Sequence, residues 1–205
     1  MYRSSSSRII PVILAVVVIV AVVAGLVAVG RYLFGGNGQQ RQEEQEQVET
    51  VRDQLLTLAA DRSVRVTVRG PIVGDDRFQT QRITISPSSR IFTVYRGYLE
   101  DIDDQKSYDN NMQAYEEFVH ALDKADMMRP GVVSPEDATD IRGICATGRI
   151  FEFEIIATSS IIDRRWTSTC KGSPGSFGAS VDQVLDLFSA QIPERTFNFQ
   201  RRLSL

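Results

Sequence analysis

The sequence predicts an α+β protein: an N-terminal transmembrane helix, a short stalk helix, then an antiparallel sheet with two packed helices. Three observations predict it. Residues 9–30 form an uncharged apolar run, several later segments alternate polar and apolar residues with a period of two, and two others repeat near 3.6.

The run from Ile9 to Gly30 reads IIPVILAVVVIVAVVAGLVAVG. At 1.5 Å per residue it is long enough for a hydrocarbon core of about 30 Å. A core helix of a small domain is apolar on one face, whereas this one is apolar all round. A cleaved signal peptide is the other alternative, and its apolar core is roughly 7 to 15 residues, shorter than this run. Pro11 falls in the first turn, where N–H groups are spare. Arg3, Arg8 and the terminal amine precede the span, and Arg31 and Arg41 follow it. That count tilts slightly toward a cytoplasmic N-terminus, with residues 1–8 inside and the rest of the chain outside.

Residues 31–62 are expected to be linker and stalk. Gly35, Gly36 and Gly38 mark a flexible break, and Gln and Glu then dominate. Val48, Val51, Leu55 and Leu58 make a narrow apolar seam of about two heptads. This is short for a coiled coil, so docking on the chain's own domain is an equal alternative.

The α+β domain is expected over residues 63–205. SVRVTVRG alternates Val64, Val66 and Val68 with Arg65, Thr67 and Arg69, and RFQTQRITIS and RIFTVYRGY continue as strands around the turn formers Pro87, Ser88 and Ser89. From Asn110 to Asp126, Met112, Tyr115, Phe118, Val119, Leu122 and Ala125 fall on one helical face. RIFEFEII and IIDRRWTSTC then read as a hairpin turning near Ala157 and Thr158, with Phe151 close to Trp166. In that register Cys145 falls opposite Cys170, within reach of a disulfide; two unpaired buried thiols are the alternative. A bridge implies an oxidising compartment. SVDQVLDLFSAQIP begins with a Ser180-to-Gln183 capping box, presents Val181, Val184, Leu185 and Phe188, and stops at Pro193. RTFNFQRRL is a further strand candidate.

Candidate sites are few. DIDDQKSYDNNM imitates a calcium loop through Asp101, Asp103, Gln105 and Asp109, but Lys106 stands where Gly is needed and Met112 where a bidentate Glu belongs. It is expected to be an acidic surface loop entering a helix capped by Asp109 or Asn110. CKGSPGSFGAS spaces Gly172, Gly175 and Gly178 beside Lys171, a candidate ligand lip ahead of a helix, though without the Gly-Lys-Ser/Thr of a nucleotide loop. A turn-rich connector is the simpler account of it.

Catalytic chemistry is poorly supplied. His120 is the sole histidine, off the apolar face of its helix, and no GxSxG elbow accompanies it. No zinc ligand set is present if the cysteines are oxidised. Paired carboxylates are the one catalytic alternative left open. No catalytic residue, metal or cofactor is therefore assigned.

Residues 1–38 hold three arginines and no acid, so the remaining chain carries 20 of the 23 basic residues and all 26 acidic ones. A net charge of −6 there, with only three lysines, argues against nucleic acid as a partner. The expectation is a single-pass envelope protein whose extracytoplasmic domain meets a protein partner or has an assembly role. The alternative is a small-ligand or glycan-binding domain using the lip and the aromatics Tyr95 and Tyr98.

Overall fold

The structure, a computed structural model, describes residues 50–98, 100–131, 141 and 143–193. The apolar run 9–30, most of the stalk and the last strand candidate lie outside them. No helix among the described residues is long and apolar enough to cross a membrane.

A helical segment, α1 (residues 50–56), leads into β1 (Arg62–Arg69). Then come β2 (Gln79–Ile85), β3 (Ser89–Arg96), β4 (Asp101–Asp109), α2 (Met112–Lys124), β5 (Ile150–Ala157), β6 (Ser160–Ser168) and α3 (Val181–Ala190). The six strands form one antiparallel sheet in the order β4-β3-β2-β1-β5-β6, which is the expected α+β class. Two runs of neighbouring strands join through the non-local pair β1–β5, in which Val66 faces Phe153 and Arg65 faces Glu154.

Alternation sorts the strands into two faces. Phe92, Ile83, Val66 and Phe153 are successive cross-strand partners, forming one apolar row. This row belongs to a single core with Tyr115, Phe118, Val119 and Leu122 of α2 and Val184, Leu185 and Phe188 of α3. The two helices meet through Phe118 and Phe188, edge to face at 5.2 Å between centroids. Such a pair contributes about 1 kcal/mol beyond its burial. Leu55 of α1 is 1 % exposed in the same core, with Val51 and Leu56 against it, so this part of the seam docks on the domain.

The starts of α2 and α3 are capped. Ser180 Oγ accepts from the Gln183 N–H at 3.4 Å, at the capping-box spacing. For α2 the cap is Asn111, whose Oδ1 accepts from the Ala114 N–H at 2.9 Å, rather than Asp109 or Asn110. Met112, expected on the apolar face, is the first helical residue and is 41 % exposed.

The larger correction concerns residues 101–109. They form the edge strand β4, paired to β3, not an acidic loop. Asp disfavours strands, but β3 supplies a template on one side, and the open edge tolerates charge because its other side faces solvent. In an extended strand at about 3.4 Å per residue, Asp101 and Asp109 stand about 27 Å apart, which does not allow them to wrap one calcium ion. Among the described residues no cluster of His, Cys, Asp and Glu is placed to hold a metal.

The hairpin turns one residue later than expected, at Thr158 and Ser159, both at positive φ (48° and 66°). That hand matches the twist of the flanking strands, though neither residue is one of the usual Asn or Gly. Thr158 Oγ1 donates to Asp61 Oδ2 at 2.6 Å, holding the turn to the start of β1.

Candidate functional site

The sheet face away from the helices carries charge. Arg65 and Arg69 project from β1, Arg82 from β2, Glu152 and Glu154 from β5, and Arg164 from β6. Cross-strand pairing sets opposite charges together, because Arg65 faces Glu154 and Arg69 lies diagonal to Glu152. Arg65 Nε donates to Glu154 at 2.5 Å and Arg69 Nε to Glu152 Oε1 at 2.6 Å. Arg164 Nη1 stands 3.6 Å from the second oxygen, Glu152 Oε2. The two glutamate side chains are only 5 % and 4 % exposed.

Glu100, in the β3–β4 connection, joins this network from above. It accepts from Arg69 Nη1 at 2.9 Å and lies 3.5 Å from Arg82 Nη2. Its φ of 57° is unusual for a residue with a side chain, and the two arginine contacts accompany it. Burial works against the charge on Arg69, but Glu152 and then Glu100 outweigh it and leave its pKa raised above the ordinary guanidinium value. Arg82 completes the face, 4.8 Å over the Tyr95 ring and donating to the Tyr95 hydroxyl at 3.0 Å.

At one end of this face the strands give way to a cleft of about 670 Å³. Among the described residues, Arg69, Glu152 and Arg164 are its charged lining. Ile72, Phe78 and Tyr98 line it from the β1–β2 and β3–β4 connections, Ile141 and Cys145 from the segment before β5, and Ile150 from the first position of β5.

The walls are tied. Phe78 and Tyr98 stack at 4.2 Å, the Tyr98 hydroxyl donates to the Val73 carbonyl at 2.8 Å, and the Tyr98 N–H donates to Asp75 Oδ1 at 2.8 Å. The Ile72 N–H donates to the Ala146 carbonyl at 2.8 Å, joining the two sides. Cys145 and Cys170 are bonded sulfur to sulfur with Cα atoms 5.6 Å apart, the expected pairing, but beyond the β5–β6 ladder rather than in it. The ladder's register sets Phe151 opposite Thr167 and places Trp166 opposite Glu152, so Phe151 and Trp166 fall on opposite faces instead of packing together as expected. Cys145 and Ile150 pack with buried Trp166 in a small second core beneath this end.

The lip residues lie elsewhere in the hairpin's approach to α3. Lys171 and Gly172 are exposed, and a Cβ on Gly172 would meet nothing. Gly175, at φ +81°, packs so closely that a Cβ would sit 2.1 Å from the Trp166 carbonyl oxygen, and one on Gly178 would sit 2.2 Å from that of Pro130. Close backbone packing accounts for these two glycines: residues 174–177 cover part of the β6 edge, with the Phe177 N–H donating to the Trp166 carbonyl at 2.9 Å. Of the lip residues, none lines the cleft. Of the aromatics named with them, Tyr98 does, while Tyr95 belongs to the Arg82 contact. His120 is exposed on α2, in the helical layer.

Sequence reasoning missed the cleft. Its signal was present in the Phe-Glu alternation of β5, opposed by the Arg-Thr-Arg alternation of β1, but pairing β1 with β5 requires knowing the topology. No protein-family model matches the chain, and no curated protein is significantly similar to it.

Proposed function

We propose that the chain is a single-pass envelope protein, with residues 9–30 in the membrane, residues 1–8 in the cytoplasm and the α+β domain outside. There the domain is a recognition module that docks a partner protein at the cleft. The observation that carries this reading is the cleft itself, a recess with walls pinned by a disulfide and by hydrogen bonds between loops. Preformed walls lower the ordering cost of binding. The disulfide also supports the compartment, since such bonds persist in oxidising surroundings, and the uncharged run supports the anchor.

The chemistry in the cleft favours holding over transforming. Glu152 has a guanidinium at each oxygen, an arrangement that keeps charge in place. Small-ligand binding is the second reading, favoured by the position of Tyr98, 48 % exposed on the cleft wall.

Two measurements test the proposal. An impermeant maleimide on intact cells is expected to label Cys145 and Cys170 only after an impermeant reductant; labelling without reductant, and only after lysis, overturns the compartment. A photo-crosslinking residue at position 72 or 98 is expected to trap a discrete adduct in cells, and one at exposed Glu116 of α2 is not. Equal capture from both layers overturns the cleft as the docking surface.

A further inference from the structure

We propose that the outer edge of β4 is a strand-addition site and that its occupant is residues 195–203 of the same chain, laid antiparallel to β4. The cleft plays no part in it.

The edge is built to pair. β4 is nine residues long, ends the strand order and, among the described residues, has a neighbour on one side only, β3. Just past β4 the Asn110 N–H donates to the Ser88 carbonyl at 3.1 Å, in step with the β3–β4 register. Backbone direction alternates along an antiparallel ladder, so the N–H groups of Lys106 and Tyr108 point to β3 and those of Gln105, Ser107 and Asp109 point outward. Such a row of outward groups is a template for one more strand.

The chain itself arrives there. One guanidinium, that of Arg90, donates to the Gln191 carbonyl at 3.1 Å and to the Asp109 carbonyl at 3.2 and 2.9 Å, so the C-cap of α3 lies beside the last residue of β4. Ile192 is 5 % exposed in the core and fixes the exit. A strand continuing from that point meets β4 at its C-terminal end and runs along it in the antiparallel sense. Residues 195–203 match the nine residues of β4 in number.

The segment has the pattern of a strand with one apolar face. RTFNFQRRL sets Phe197 and Phe199 at alternate positions, with Asn198 and Gln200 on the other parity. On β4, Lys106 and Tyr108 pair with Phe92 and Arg90 and are half-buried, and Tyr108 packs against the core. Beside them, Phe197 and Phe199 lengthen the apolar row of Phe92, Ile83, Val66 and Phe153 by one strand. Charge agrees. The segment has three arginines and no acid. Of the four aspartates of β4, Asp103 is held by Arg96 at 2.6 Å, while Asp101, Asp104 and Asp109 have no cation in ion-pair contact among the described residues. A second copy of β4 in the same place would set aspartate near aspartate, which disfavours it.

Two measurements on the full chain in detergent micelles test this. Hydrogen exchange read at single amides is expected to be slow at Gln105, Ser107 and Asp109. In a chain ending at Pro193 it is expected to be about tenfold or more faster at those three, with Lys106 and Tyr108 slow in both. Arg201→Glu combined with Arg202→Glu is expected to move the same three amides in the same direction, and it decides the matter if the shortened chain does not fold. Fast exchange at the three in the parent chain, no change in the variants, or an equal rise at all five amides overturns the proposal, the last because it is loss of the strand and not of its neighbour. p-Benzoylphenylalanine at Asn198 is expected to form an adduct within residues 101–109 of the same chain. Adducts elsewhere overturn the site, and mixed-isotope adducts from a blend of labelled and unlabelled chains overturn the occupant by showing a second copy.

Discussion

Arg69 Nε donates to Glu152 Oε1 at 2.6 Å across the β1–β5 junction, on a sheet face that no helix covers among the described residues. The pair joins the two halves of the sheet and forms the floor of the cleft, so stability and recognition share it. An ion pair this buried has a desolvation cost close to its attraction, and its removal as a unit costs little, whereas removing one partner strands a charge.

Glu152→Ala is accordingly expected to destabilise the domain by about 3 kcal/mol, because Arg69 and Arg164 both lose their shared acceptor. Arg69→Met combined with Glu152→Leu is expected to cost far less than the sum of the two single changes. Urea unfolding followed by Trp166 emission gives all three values, and additive costs would show that the pair acts as two independent surface charges.

Cys145–Cys170 closes a loop with a sequence separation of 25, for which chain entropy gives a stabilisation of about 3 kcal/mol. Replacing both cysteines by serine is expected to lower stability by that order. Gly148 lies against the bridge, a Cβ there falling 2.6 Å from Cys145 Sγ, so Gly148→Ala is expected to weaken the same end. A doubly substituted chain as stable as the parent would show that β5 and β6 already confine the loop in the unfolded ensemble.

Strands β1 to β3 and the two capped helices were legible because each rests on a local period or a turn residue, and the cysteine pairing because the chain has only two cysteines, one on each side of a hairpin. β4 was not, because an acidic edge strand owes its conformation to hydrogen bonds from β3 rather than to its own residues. The cleft was hidden for a different reason. Arg69 and Tyr98 lie far in sequence from Cys145 and Arg164, and it is the β1–β5 pairing that brings the two groups to one end of the sheet. Gly175 and Gly178 drew attention as a lip because glycine spacing alone does not distinguish an approach by ligand from an approach by backbone.

Gly175→Ala separates those two roles. Its positive φ and the 2.1 Å approach to the Trp166 carbonyl predict a loss of about 2–5 kcal/mol, since strain and overpacking add. Gly172→Ala, in open space, is expected to change stability by less than about 0.5 kcal/mol. Thermal unfolding of the two variants measures the contrast. A tolerated Gly175→Ala would mean that residues 174–177 do not hold the β6 edge as described.

Arg52 ties α1 to α2, with Nε and Nη2 donating to Asp123 at 2.6 and 2.8 Å. These hydrogen bonds hold the Asp123 carboxyl below its ordinary pKa, against a smaller opposing effect of burial, and the charges of Arg52 and His120 add to them. A carboxyl whose pKa is lower folded than unfolded contributes stability that is fully present above the unfolded value near 4. That contribution is lost as pH falls through the folded value. Arg52 is 56 % exposed, so solvent screening limits the pair to about 0.5 kcal/mol at neutral pH. Asp123→Asn is therefore expected to lower stability slightly at pH 7 and to flatten the loss of stability below pH 4, and Arg52→Gln is expected to do the same. Urea midpoints from pH 2 to 7 measure it. Parallel pH profiles for parent and variants would mean that α1 is held by Leu55 in the core and draws nothing from the ion pair.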